Sequence, residues 1–166
     1  MFTTVSEFES LWGHESGSTL KLLRLLTDAS LQQAVTPQDR TLGRIAWHIV
    51  VTVPDMMNRT GLSVIGPAEN APVPSARVIA DSYERVSEAL LRQVRRQWTD
   101  ASLQVVDEMY GQQWKRGFTL VALIHHQIHH RGQMTVLMRQ AGLVVPGLHG
   151  PAREEWSAFG MAAPSL

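Results

Sequence analysis

The segment from Phe118 to Ala141 contains no proline, and four of the chain's seven histidines fall within positions 125–130 of it. A run of this length with apolar residues at helical spacing constrains the fold more than any other feature of the chain. In a helix, residues four apart stand one turn apart on the same face. The run therefore offers two pairs, His125/His129 and His126/His130. Either pair can bring two imidazoles to one point beside the helix, a spacing able to hold one divalent ion. The competing structural reading is a helix with polar histidines on a wet face.

Helix geometry separates the pairs. At about 100° per residue, His126 and His130 share a face with Leu123, Met134, Leu137 and Ala141, which reads as the inside of a helical bundle. His125 and His129 lie further round, with Phe118 and Val136, at the rim of that face. A cation in an interior pocket needs interior ligands, so His126 and His130 are the expected ligands. His125 and His129 are the second choice, as packing groups or supports for the ligands.

The rest of the chain fits such a bundle. Its 166 residues suit one domain with one core. With a formal net charge of zero, nothing favours nucleic acid, whose phosphates call for a basic excess. No apolar run is long enough for a membrane span. The start lacks the basic and apolar regions of a signal peptide, so the expected location is cytoplasmic. With no cysteine, disulfides and thiolate metal sites are excluded. Arginine far outnumbers lysine, an association with high-GC bacterial genomes.

Thr4-Val5-Ser6-Glu7 fits a capping box and opens a helix expected over 5–28, with His14 read as a surface or rim residue. Thr36-Pro37-Gln38-Asp39 is turn chemistry. A second helix is expected over 41–60, with Pro54 kinking it or ending its first half. His48 lies at the edge of its apolar stripe and becomes the expected third ligand, because a tetrahedral site calls for one beyond His126 and His130. Residues 62–74, with Gly66, Pro67, Pro72 and Pro74, read as a long loop able to run the length of a bundle, so that helices two and three lie parallel. Ser75 caps a third helix over 75–98, whose Arg92, Arg95 and Arg96 read as a solvated face. Residues 99–117 show no clear helical stripe, and part is read as extended. A fourth helix is expected over 119–141, capped by Thr119 and stopped by Gly142. Gly132 inside it is unfavourable by about 1 kcal/mol against alanine, and is read as admitting another group beside His130. Beyond Pro151, a short helix carries Trp156 and Phe159. The expected class is an all-α four-helix bundle.

Three stretches carry a resemblance that spans nearly the whole chain. They are Trp12-Gly13-His14-Glu15, Trp47-His48-Ile49-Val50, and His126-Gln127-Ile128-His129-His130-Arg131-Gly132-Gln133 with the tail Pro146-Gly147…Gly150-Pro151…Glu155-Trp156. Together they resemble the DinB/YfiT family of metalloenzymes, which is not the DNA polymerase sharing part of that name. The resemblance implies an up-down-down-up bundle, three histidines on a divalent ion such as zinc or nickel, and frequent homodimers. Carried over, those ligands fall on His48, His126 and His130. Position 149, histidine here, often holds an aromatic residue in relatives. Relatives include thiol S-transferases that use low-molecular-weight thiols such as bacillithiol, and a mycothiol-dependent isomerase.

Three neutral imidazoles leave an ion's charge uncompensated, so an open position favours an anion. A divalent ion can deprotonate a thiol or lower the pKa of water, giving thiol transfer or hydrolysis. A zincin protease is disfavoured: its glutamate base follows the first histidine directly, and Gln127 stands there. That absence tilts the reading towards thiol transfer, unless Glu15, Asp107 or Glu108 supplies a base. The rival is a non-enzymatic, stress-related protein binding metal or ligand. Ion binding is expected to weaken as pH falls through about 6.5. Ile124, Ile128 and Met138, opposite the site on helix four, suggest a second covering surface and hence a homodimer.

Overall fold

The fold is read from a computed structural model that describes residues 1–68 and 70–165. Four long helices make the bundle: α1 Val5–Leu23, α2 Leu42–Asn58, α3 Ala76–Gln97 and α4 Arg116–Gln140. A hairpin of β1 Val106–Met109 and β2 Gln112–Lys115 precedes α4.

Local chemistry accounts for the ends. The Thr4 hydroxyl accepts from the Glu7 amide, while the Glu7 carboxylate accepts from the Thr4 amide, a complete capping box. Helix α1 stops at Leu23, five residues short of the expected 28. Thr27 and Ser30 bond each other's backbone and side chains, and Asp28 accepts the Ala76 amide at 2.7 Å. Such polar side chains compete with the helical ladder. Thr41 and Ser75 cap α2 and α3 through the Arg44 and Val78 amides.

Helix α2 runs through Pro54 to Asn58 rather than ending there. Pro54 is buried, with Gly66 of the following loop against its ring. A β-carbon at Gly66 would stand 2.8 Å from Pro54 Cγ and 3.1 Å from Val86 Cγ1, so the close approach requires glycine. The Asn58 side chain holds Val64 by both its amide and carbonyl, and Val73 returns to Gly43 near the start of α2. The described part of the 62–74 loop thus lacks helix and strand and runs back along the bundle. Glu69, within that stretch, lies outside the described residues.

Contacts fix the directions. Phe2 lies against Gly117, Glu15 meets Arg131, and Lys21 reaches the Gly147 carbonyl, so α1 and α4 run parallel. Trp12 meets Ser87 and Glu9 meets Arg95, so α1 and α3 are antiparallel. Gln33 reaches Gln140 and Tyr110 reaches Asp55, setting α2 against α4 in the opposite sense. The order is up-down-down-up, with the core built from Phe8, Trp12, Ile49, Met57, Tyr83, Leu90, Leu123, Met134 and their neighbours.

Residues 106–115 were legible only as partly extended; they form an antiparallel hairpin with Val106 opposite Lys115 and Met109 opposite Gln112. Tyr110 and Gly111 both have positive φ, 54° and 80°, as a tight two-residue turn demands. The Tyr110 hydroxyl donates to Asp55 at 2.6 Å and anchors that turn on α2. Arg116 pairs with Asp107 through two bonds and ties the hairpin to α4. Helix α4 therefore starts at Arg116, and Thr119 is no cap: its buried hydroxyl donates back to the Lys115 carbonyl. Gly142, at φ 77°, ends α4 with its amide on Arg139 and the Leu143 amide on Met138, the left-handed stop expected there. In the tail, Glu155 accepts from the Gly147 and Ala152 amides ahead of a single 3-10 turn, Trp156–Phe159.

Candidate metal centre

Two helices position three imidazoles. Helix α4 carries His126 and His130 one turn apart on its α2-facing side, and α2 carries His48 opposite them. His126 Nε2 lies 3.2 Å from His48 Nε2 and 3.1 Å from His130 Nε2, so the three nitrogens converge. Two imidazole nitrogens each bound about 2.0–2.1 Å from one tetrahedral ion stand about 3.3–3.4 Å apart. The residues present therefore fit a shared divalent ion in both donor type and spacing.

Neighbouring groups hold the rings ready. His130 Nδ1 lies 2.7 Å from Gln133 Oε1. The amide oxygen accepts the Nδ1 proton, which leaves the Nε2 lone pair facing the cluster. Gln127 is fully buried and donates to the Ile49 carbonyl at 3.3 Å. It thereby clamps α4 to α2 at the residue following His48, and it does not face the cluster as a general base would.

Burial and charge keep the rings neutral. Desolvation pushes His48 and His126 down to about 4, helped for both by the repulsion a protonated His130 would exert and by the charge of Arg40. Desolvation also lowers His130, although the Gln133 bond works the other way. Neutral imidazole is the form that ligates. Proton competition at these rings accordingly begins below the ordinary value of 6.5, lower than the sequence-based expectation.

A cleft of about 630 Å³ opens beside His130, lined by Val35, Asp39, Arg40, Ile45, Gln133, Val136 and Leu137. In the sequence, Asp39 reads only as part of a turn and Gln133 only as the end of the family stretch, and Arg40 has no role at all. Only Gln133 carried a signal, three residues after His130 and so on a neighbouring position of the same helix.

The other expected residues fall elsewhere. His125 and His129 are exposed, outside the cluster; His129 makes an edge-on ring contact with His130, ring centres 4.9 Å apart. Gly132 is exposed, and nothing lies within 4 Å of the space a β-carbon would fill, so it admits no neighbour. Of the carboxylates weighed as bases, Asp107 pairs with Arg116, and Glu108 accepts the Gly111 amide. Glu15 sits between α1 and α4, ion-paired with Arg131, which also donates to the Glu15 carbonyl at 2.6 Å and to Thr19 at 3.1 Å. His14, Glu15 and His149 gather there too, but the guanidinium already balances the carboxylate. Ile124 and Met138 are buried within the chain and Ile128 is partly buried, so these three give no independent reason for a second subunit.

A family model described as the DinB family matches residues 1–164. The uncharacterized protein YrdA of Bacillus subtilis (strain 168) is 52% identical over 167 residues, covering 100% of both chains. The crystal structure of a DinB-like protein from Bacillus cereus ATCC 10987 superposes with a TM-score of 0.87 at 46% identity, over 90% of this chain and 100% of that one. A DinB-like protein from Bacillus subtilis, 16% identical, gives 0.68 over 88% and 99% of the two chains, a likeness of fold alone.

Proposed function

This chain belongs to the DinB family, and from that premise we propose that His48, His126 and His130 hold one divalent metal ion at the centre of a small-molecule transferase site. The convergence of three neutral imidazole nitrogens at 3.1–3.2 Å carries the reading. Zinc is the first choice, because three-histidine sites with an open position suit it. Nickel is second, since imidazole serves it well.

When bound, the ion supplies a Lewis acid that holds a thiol in its ionised form near neutral pH. The protein's own groups do the rest. Gln133 orients His130, and Gln127 locks the two helices that carry the ligands. The cleft beside His130 gives access for a small molecule, as an open site needs and a closed structural site does not. Val35, Ile45, Val136 and Leu137 form apolar walls that limit water around the reacting sulfur.

The reaction best suited to these residues moves a low-molecular-weight thiol onto an electrophilic carbon. A carbon–sulfur bond forms, the leaving group departs with its electron pair, and the thiol proton passes to solvent. Hydrolysis is the weaker alternative, because Gln127 is turned into the core and Glu15, Asp107 and Glu108 are held by other partners. A binding protein without turnover would share the histidines but would not transfer sulfur. Incubating zinc-loaded protein with thiols and monochlorobimane tests the proposal. It predicts conjugate fluorescence and chloride release that depend on the ion and are lost in His130→Ala. Rates equal to the protein-free control would refute turnover. The homodimer, which the resemblance implies, and the cytoplasmic location, read from the sequence, remain proposals, and sedimentation at micromolar concentration tests the first.

A further inference from the structure

Arg40 is placed by a hydrogen-bonded turn and yet, among the described residues, has no partner of its own. The Asp39 amide donates to the Thr36 carbonyl at 3.1 Å, the Thr36 hydroxyl donates to Asp39 at 2.8 Å, and the Gln38 amide reaches the same hydroxyl at 3.3 Å. The Leu42 amide then donates to the Gln33 carbonyl at 2.7 Å, fixing the chain on both sides of Arg40. The residue thus enters α2 from a fixed backbone, two turns before His48. Its side chain lines the cleft beside His130 and Gln133. Among the described residues it forms no ion pair or hydrogen bond. The acid beside it, Asp39, already accepts from Thr36.

A guanidinium presents a planar fork of donors that matches a carboxylate. Here that fork stands in a cleft whose apolar walls are Val35, Ile45, Val136 and Leu137 and whose polar lining is Asp39, His130 and Gln133. Resting on the metal reading above, we propose that Arg40 sets substrate class: the cleft takes a small thiol with a short apolar body and a carboxylate, which Arg40 binds while the sulfur points to the histidines. Arg40 acts in recognition and does not touch the reacting atoms.

The test uses two size-matched probes, 3-mercaptopropionate and its neutral amide, titrated into cobalt-loaded protein while the sulfur-to-cobalt absorption band is followed. The wild-type chain is expected to bind the carboxylate at least about tenfold more tightly than the amide, the scale of one charge-assisted bond. Arg40→Gln should bring the two within about twofold by weakening only the carboxylate, and Arg40→Lys should keep part of the preference. Arg40 is exposed, so these variants are expected to fold normally. Equal affinities in the wild type, or a preference surviving Arg40→Gln, would overturn the assignment. If neither thiol produces the band, the thiol-transfer reading fails by itself. Calorimetric titration with butyrate and butyramide, on cobalt-loaded and metal-free protein, then decides Arg40 alone. Butyrate binding that Arg40→Gln abolishes supports it, and no butyrate binding refutes it.

Discussion

Helix α4 carries two polar clusters on different sides, and they solve burial in opposite ways. Towards α1, Arg131 is 1% exposed and its charge is matched by the Glu15 carboxylate, the Glu15 carbonyl and the Thr19 hydroxyl. Towards α2, His48, His126 and His130 bring like groups together, with their Nε2 atoms turned on one another and a cleft alongside. The first cluster is complete within the protein. The second concentrates three donor nitrogens, and among the described residues no carboxylate joins that cluster. Adjacent residues, His130 and Arg131, thus belong to the candidate binding cluster and to the architecture respectively.

Breaking the α1 side should give the largest effect. Arg131→Met leaves Glu15 buried and unpaired, and should cost about 3–5 kcal/mol of stability, measured by urea unfolding of metal-free protein. Adding Glu15→Leu should recover much of that loss, since an apolar replacement of both partners is often neutral. No recovery would show that the pair does more than satisfy itself. On the α2 side, Gln133→Leu should weaken zinc binding about 10- to 100-fold by releasing His130, read by competition with a chelating dye. Stability should change by no more than about 0.5 kcal/mol, because Gln133 is exposed.

Acid should separate the clusters as well. His48 and His126 titrate near 4 in the fold, against 6.5 ordinarily. Between those values the unfolded chain binds more protons, so acid favours unfolding there. Their contribution should be complete above pH 6.5, decline as pH falls towards 4, and change no further below it. Melting of metal-free wild type against His48→Ala/His126→Ala across this window checks the sign; the variant should show the flatter profile. The smallest effect belongs between the clusters: Gly132→Ala, in open space, should stabilise the chain by up to about 1 kcal/mol in thermal unfolding.

The bundle and the His126/His130 pair were legible because both depend on helical period, whereas His48 needed the demand for a third ligand and the resemblance. His126 and His130 share a face with Leu123 and Met134, and that pattern survives in the sequence without any knowledge of the partner helix. The up-down-down-up order needed a resemblance, and the long loop only permitted it. What was missed depends on contacts between segments distant in sequence. The hairpin turn, Tyr110-Gly111, lacks the usual asparagine and takes its support from Asp55, 55 residues away. The early stop of α1 follows from Asp28 reaching Ala76, 48 residues on. Arg40 carried no motif, because one arginine before a helix is unremarkable until the fold sets a cleft beside it. Gly132 misled because low helix propensity was taken for a packing requirement.

The central claim is that the interior pair on α4, with His48, holds the ion. Equilibrium dialysis against zinc followed by elemental analysis of wild type, His130→Ala and His129→Ala tests it directly. The account predicts one zinc per chain for wild type and His129→Ala, and loss of most of the zinc from His130→Ala. Equal zinc in the two variants, or a greater loss from His129→Ala, would contradict it.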